Sequence, residues 1–230
     1  VGGESTRPGA GRVDADIEIA RVLPVIRDLV ATGVPVSIDT SRAEVADVAL
    51  EAGVAIVNDV SGGLADPNMA KVIASAGCPW ILMHWRGHSR EMTQLATYSD
   101  VVVEVCAELR ERAGAALAAG VDPSRIILDP GLGFAKTAEH NWQLSANLDA
   151  VLALGYPVLF ASSRKSYLGK LLAAPDGTPR PVDRREAATL ATTVLAVDAG
   201  VWGVRVHEVE PTVDAIKVWR ATRAARRHQP

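Results

Sequence analysis

Short apolar runs that end on a polar residue recur along this 230-residue chain. In the clearest one, an apolar run ends on Asp129 and is broken at once by Pro130 and Gly131. Each run is rich in Val, Ile or Leu and is followed by a loop and then by a helical pattern, which indicates βα units and a parallel sheet. The predicted strands are 34–39, 54–58, 79–84, 125–129, 157–161 and 203–206.

Helical periodicity fills the intervals between these strands. The predicted helices lie near 14–32, 42–52, 66–76, 99–119, 138–154, 164–173, 184–199 and 210–227. Several of them end at glycine, the residue that most easily adopts the left-handed conformation of a helix C-cap. These glycines are Gly33, Gly53, Gly77, Gly120, Gly155 and Gly200.

The strand order predicts an α/β fold in which one domain spans residues 1–230. Ligands of parallel α/β folds bind outside the carboxyl ends of the strands, so polar strand ends predict one shared site. Six strands and a fragment at Val1 do not close an eight-stranded barrel. We therefore expect a (β/α)8 TIM-type barrel that lacks its first strand–helix unit and most of its second strand, with an open doubly wound sheet as the alternative.

Composition narrows the class of protein. The chain is 48% hydrophobic with a net charge of −3, which supports a sizeable core and disfavours nucleic acid as a partner. No apolar run reaches the roughly 20 residues that span a bilayer, so we expect no membrane partner. Cys78 and Cys106 lack metal-ligand spacing and indicate reduced thiols in a cytoplasmic protein.

Six polar groups at or just after the predicted strands carry the candidate chemistry: Asp39, Asn58, Asp129, Lys165, Arg205 and His207. A carboxylate such as Asp129 accepts two N–H bonds side by side, and Lys165 donates, so together they suit a flat heterocycle. Arg205 and His207 alternate with valines and predict a positive corner for a phosphate or diphosphate. Taken singly, each group has an ordinary structural alternative, such as a helix N-cap for an Asp or surface decoration for Arg-x-His.

Seven segments together resemble bacterial dihydropteroate synthases. The segments are 2–10, 37–40, 58–62, 83–84, 129–134, 163–165 and 205–207. The resemblance implies a (β/α)8 barrel that joins 6-hydroxymethyl-7,8-dihydropterin diphosphate to p-aminobenzoate in folate biosynthesis. It also implies Mg²⁺ as cofactor, inhibition by sulfonamides and a homodimer.

The resemblance assigns roles to individual residues. The implied catalytic residues are Asp39, Lys165, Arg205 and His207. The implied pterin-binding residues are Asp39, Asn58, Met83, Asp129, Lys165 and Arg205. The implied p-aminobenzoate-binding residues are Thr6, Arg7, Pro8, Phe134 and Ser166. The implied diphosphate-binding residues are Arg205, His207 and Asn58. The Asn that holds Mg²⁺ in the family would precede Val1, so no metal ligand is expected in this chain.

Two alternatives remain open at this point. A pterin-binding methyltransferase of the methyltetrahydrofolate type shares the barrel and the pterin pocket, but it has little need for the Arg205–His207 pair or for the loop at residues 6–8. A catalytically silent pterin-binding paralogue would bind pterin without forming product.

Overall fold

A computed structural model describes residues 1–7, 9–88 and 90–226. The strands are β1 (Ser37–Asp39), β2 (Ile56–Asp59), β3 (Trp80–Met83), β4 (Ile126–Asp129), β5 (Leu159–Phe160) and β6 (Gly203–Val204). The helices are α1 (Ala15–Ala31), α2 (Ala43–Glu51), α3 (Met69–Ala76), α4 (Val101–Ala118), α5 (Ala138–Ala146), α6 (Leu148–Leu152), α7 (Ser166–Leu171), α8 (Glu186–Ala199) and α9 (Val209–Arg226). Every predicted strand is confirmed in place, although each is shorter than predicted.

The strands pair in chain order, and every pair is parallel. β1 to β4 form one sheet, β5 and β6 form a second, and a bridge between Leu128 and Val158 joins the two. Gly2 forms an isolated parallel bridge with Asp39 of β1, so the first residues of the chain lie along the edge of the sheet. Parallel strands that pair in chain order, with a helix after each strand, are the arrangement of the (β/α)8 TIM-type barrel.

The two faces of the strands bury different residues, as the alternation of strand side chains requires. Ile38, Val57, Leu82 and Leu128 are completely buried in the main core cluster, which also contains residues of the helices. Ile81, Ile127 and Leu159 form a separate small cluster with Ile56 packed against it. Strand side chains on the same face as this small cluster point into the barrel interior. The polar or site residues among them are Asp39, Asn58, Met83 and Asp129.

Two predicted helices differ from the observed ones by more than the one or two residues seen at other helix ends. The helix predicted over 138–154 is interrupted at Asn147, whose φ and ψ of −120° and 42° end α5 and start α6. The helix predicted to start at residue 66 begins at Met69, with Asn68 as its N-cap residue, because Asp66 forms a turn before it. Its carboxylate accepts the backbone N–H of Asn68 at 2.9 Å and that of Ala43, the first residue of α2, at 2.8 Å.

The six glycines predicted to end helices all have positive φ, which confirms that prediction. Among the described helices, none combines the length and the apolar character needed to cross a bilayer.

Candidate active site

Arg205 connects two strand ends inside the barrel. Its guanidinium donates to Asn58 Oδ1 at 2.7 Å and to Asp129 Oδ2 at 3.2 Å. Asn58 of β2 lies beside Asp39 of β1 because the two are paired in the sheet register. Met83 of β3 is paired with Asp129 of β4 in the same way. Four of the predicted pterin-binding residues therefore surround the Arg205 side chain or lie next to residues that contact it.

Asn58 keeps an unused donor. Its side chain is 3% exposed and its Nδ2 is buried without a hydrogen-bond partner among the described residues. A buried donor without a partner is costly, so Nδ2 is available to donate to a bound ligand or to the carboxylate of neighbouring Asp39. Asn58, Asp39 and Arg205 line one cavity of about 700 Å³.

Asp129 is held in place from two sides. One oxygen, Oδ1, accepts the backbone N–H of Gly131 at 2.8 Å, and Oδ2 accepts from Arg205. Gly131 has a φ of +68°, and a Cβ there would lie 2.4 Å from the backbone oxygen of His84. The Pro-Gly turn after β4 therefore requires glycine, and it fixes the orientation of a carboxylate that retains lone pairs for a ligand.

Burial shifts the pKa values of two ionisable residues at this site, Asp39 and Lys165. Burial raises the pKa of Asp39, although Arg205 nearby opposes the change. Burial lowers the pKa of Lys165 to about 8, with Asp129 acting in the opposite direction. Because titratable groups with perturbed pKa values concentrate at functional sites, both shifts support an active site at this end of the barrel.

Lys165 reaches the site by passing over the glycine turn. Its Nζ donates to the carbonyl oxygen of Leu132 and lies 4.9 Å from the centroid of the Phe134 ring. A Cβ at Gly133 would lie 2.9 Å from Lys165 Cδ, so glycine leaves room for the lysine stem. The predicted pterin residue Lys165 and the predicted p-aminobenzoate residue Phe134 are therefore neighbours.

His207 and Arg205 have different partners. The strand ends at Val204, and His207 is exposed, with its Nδ1 2.8 Å from Ser163 Oγ. Ser163 also accepts the backbone N–H of His207 at 3.2 Å. His207 is thus attached to the loop that carries Lys165, whereas Arg205 reaches into the barrel.

The residues predicted to bind p-aminobenzoate lie around two cavities. Thr6 and Phe134 line a small cavity of about 20 Å³, while Ser166, at the start of α7, lines another of about 260 Å³. Arg7 is exposed, and Pro8 lies outside the described residues. The loop that carries Thr6 is closed by Glu4, whose Oε2 accepts the backbone N–H of Val13 at 3.0 Å.

Sequence reasoning missed a second ionisable group of residues beside the site. His84 Nε2 lies 2.9 Å from Glu108 Oε2, and His84 Nδ1 lies 2.9 Å from Lys136 Nζ. Burial lowers the pKa of His84 to about 4 and that of Lys136 to about 7. The strand-end histidine after β3 therefore contacts α4 rather than Asp129. The position of His84 after an apolar run was the available signal, but nothing in the sequence paired it with Glu108.

The described residues contain no group of three or more His, Cys, Asp or Glu side chains that could hold a metal ion. Asn58 Oδ1 is already occupied by Arg205, and Asp129 by Gly131 and Arg205. These side-chain oxygens therefore bond protein groups in the part of the chain that the structure describes.

Comparison with known proteins identifies the family. The model of the pterin-binding enzyme family matches residues 1–207. The dihydropteroate synthase of Mycobacterium leprae is 55% identical over 95% of this chain and 77% of its own length.

Solved structures agree with the sequence match. The Xanthomonas albilineans dihydropteroate synthase in complex with 7,8-dihydropteroate is 39% identical, with a TM-score of 0.84 over 94% of this chain and 78% of its own. The Yersinia pestis enzyme in complex with a sulfonamide drug is 35% identical, with a TM-score of 0.89 over 96% and 78%. These relatives favour the synthase over the methyltransferase alternative. The chain belongs to the pterin-binding enzyme family and, within that family, to the dihydropteroate synthases.

Proposed function

We propose that this chain condenses 6-hydroxymethyl-7,8-dihydropterin diphosphate with p-aminobenzoate to give 7,8-dihydropteroate and diphosphate. The observation that carries the proposal is the hydrogen-bonded set formed by Arg205, Asn58 and Asp129, with Asp39 beside it. The set offers carboxylate acceptors, an amide donor and a guanidinium, and three of these residues, Asp39, Asn58 and Arg205, line one cavity. This is the complement of a flat, hydrogen-bonding heterocycle that carries an anionic substituent.

In the reaction we propose, the bond between the pterin methylene carbon and the diphosphate oxygen breaks first. The diphosphate leaves with the bonding electron pair, and the nitrogen of p-aminobenzoate then attacks the methylene carbon and gives up a proton to water. Arg205 and His207 neutralise charge on the leaving group, because cations stabilise a charge that develops during the reaction. Asp39 stabilises the delocalised pterin cation, so no strong general base is needed.

The assignment of the second substrate rests on Phe134. Its ring lies beside Lys165 Nζ on one side and lines the same cavity as Thr6 on the other. We propose that the aryl ring binds next to Phe134, with Thr6 and the loop around it closing over the substrate. Met92 lines both this cavity and the one that Ser166 lines, so the Ser166 hydroxyl would then face the carboxylate.

We propose Mg²⁺ as the counter-ion of the diphosphate. Mg²⁺ commonly binds through substrate phosphates and keeps several of its waters, so it does not need an all-protein site. No residue of this chain is assigned to it. The expected result is that diphosphate release depends on added Mg²⁺ and is lost with a chelator.

We also propose a homodimer in the cytoplasm. Exposed apolar side chains on two helices in contact support the dimer, namely Leu195 of α8, 70% exposed, and Val218 of α9, 68% exposed. The two buried free thiols, Cys78 and Cys106, support a reducing compartment. Light scattering of the purified chain should give twice the 24.2 kDa chain mass.

The experiment that tests the proposed function follows dihydropteroate formation from the two substrates. A sulfonamide added to the assay should compete with p-aminobenzoate, because it imitates that substrate, and should leave the affinity for the pterin substrate unchanged. Pterin binding without any product would instead indicate the catalytically silent paralogue.

A further inference from the structure

Arg164 has a backbone conformation that side chains rarely adopt. Its φ is +59°, in the left-handed region, and it lies between Ser163, which contacts His207, and Lys165. Such backbone outliers are kept when the surrounding structure holds them, and they cluster at active sites. Lys165 follows with φ and ψ of −64° and 154° and is the N-cap residue of α7. The left-handed residue thus turns the chain from β5 into α7 and sets the direction of the lysine.

The backbone of Arg164 is held by Thr189 of α8 and by Arg185, the residue that precedes α8. Its N–H donates to Thr189 Oγ1 at 3.1 Å, and its carbonyl oxygen accepts from Arg185 Nη1 at 2.8 Å. Arg185 fits there because residue 169 is glycine, where a Cβ would lie 2.5 Å from Arg185 Nε.

The side chain of Arg164 connects two further elements. Its Nε lies 3.5 Å from Glu186 Oε2 at the start of α8, and its Nη2 contacts Glu208 Oε1, in the turn after β6. Glu208 follows His207 directly, so two contacts join the turn after β5 to the turn after β6. One is between Ser163 and His207, and the other is between Arg164 and Glu208.

We propose that Arg164 is a positioning residue that holds Lys165 and His207 in a single arrangement through Glu208 and Glu186, without contacting substrate itself. The catalytic part of this inference rests on the proposed function. In the absence of the Arg164 side chain, the turn after β5 would lose its link to the turn after β6. Lys165 would then leave its buried position beside Leu132 and Phe134.

The first test replaces Arg164 with glycine, which adopts positive φ without steric strain and removes the side chain that pairs with Glu186 and Glu208. We expect R164G to lower kcat/KM for product formation by at least tenfold, and R164K to restore part of it. R164K retains a cation but cannot pair with two carboxylates in a fork. The control K217A removes an exposed pair on α9, in which Lys217 Nζ lies 3.0 Å from Asp214, and should behave as wild type.

A second readout does not need turnover. NMR of ¹⁵N-labelled lysine follows the titration of Lys165, whose amine faces Asp129 of β4, Arg205 after β6 and Lys136 in the loop after β4. If the turn loosens, the pKa of Lys165 should rise from about 8 toward its ordinary value in R164G and stay unchanged in K217A. A merely structural loss of stability would leave the titration of the folded protein unchanged.

The double variant E186Q/E208Q keeps Arg164 and its backbone contacts, so it tests the link even if R164G fails to fold. It should reproduce the loss of kcat/KM and the shift of Lys165. An unchanged Lys165 titration in either folded variant would overturn the inference. If the wild-type chain forms no product, the proposed function fails while the titration still decides the role of Arg164.

Discussion

Arg205 Nη2 and Asp129 Oδ2 lie 3.2 Å apart across the barrel interior, joining residues that are 76 positions apart in the chain. The carboxylate is 1% exposed, whereas the guanidinium side chain is 39% exposed. A partly exposed guanidinium therefore contacts a buried carboxylate at the strand ends. Such an arrangement suits a ligand that has both hydrogen-bonding donors and an anionic tail.

Asp129→Asn should weaken pterin binding by about tenfold or more, because an amide cannot replace both acceptor oxygens and hydrogen bonds to charged groups contribute about 1.5–3 kcal/mol. Calorimetric titration with a pterin checks this. Unchanged affinity in the folded variant would contradict the assignment of Asp129.

Asp59→Asn is the matched control for that experiment. Asp59 is also a buried strand-end carboxylate, but its oxygens accept from Ser61 N–H at 2.8 Å and from Gly63 N–H at 2.8 Å rather than facing the barrel. The variant should be less stable by about 1–3 kcal/mol in urea denaturation and bind pterin normally once folded.

Arg205→Lys should lower kcat by about ten- to a hundredfold. A single ammonium cannot reproduce a guanidinium that bonds Asn58 and Asp129 at the same time while facing the diphosphate. Steady-state kinetics measure the effect. Arg223→Lys, which changes an exposed pair with Asp198 at 3.0 Å, should leave kcat unchanged. Equal effects of the two substitutions would contradict the role of Arg205.

Thr6→Ala should raise the KM for p-aminobenzoate several-fold and leave pterin affinity nearly intact. Thr6 lines the cavity next to Phe134, and its loop is separate from the set around Asp129. The neighbouring variant Ser5→Ala, at an exposed position, is the control. Parallel loss of affinity for both substrates would mean that the loop is structural.

The buried His84 should make the protein sensitive to acid. Burial, with Lys136 adding to it, lowers the pKa of His84 from 6.5 to about 4. Between these pH values the unfolded chain binds a proton at His84 that the folded chain does not, so stability falls as pH falls from about 6.5 to 4. The loss should approach about 3 kcal/mol.

His84→Gln tests that dependence, because an amide can both accept from Lys136 and donate to Glu108 without titrating. Urea denaturation at several pH values should show a smaller loss of stability between pH 6.5 and 4 in the variant than in the wild type. Identical slopes would contradict the assignment of His84 as the sensitive group.

Sequence alone located the strands because the apolar runs are short and each is followed by turn residues, as in Asp129-Pro130-Gly131. It also named Asp39, Asn58 and Arg205, which the structure brings together. It could not show that Arg205 bonds Asn58 and Asp129, because these contacts depend on the curvature of the sheet over 147 and 76 positions of sequence.

The contacts of Arg164, Lys136 and His84 were beyond sequence reasoning for a similar reason. Each depends on partners from distant elements, and an Arg or a Lys in a loop has no periodicity that would reveal them. The break at Asn147 arises locally, since Asn is weakly helix-forming and its Nδ2 bonds the carbonyl of Gln143 at 2.8 Å. The assignment of one domain to the whole chain stays a prediction.

The most direct test of the central claim measures diphosphate release by the purified chain with the pterin diphosphate and Mg²⁺, with and without p-aminobenzoate. We predict one diphosphate per dihydropteroate formed when p-aminobenzoate is present. Diphosphate release that p-aminobenzoate does not affect and that yields no dihydropteroate, or no release at all, would contradict the proposed condensation.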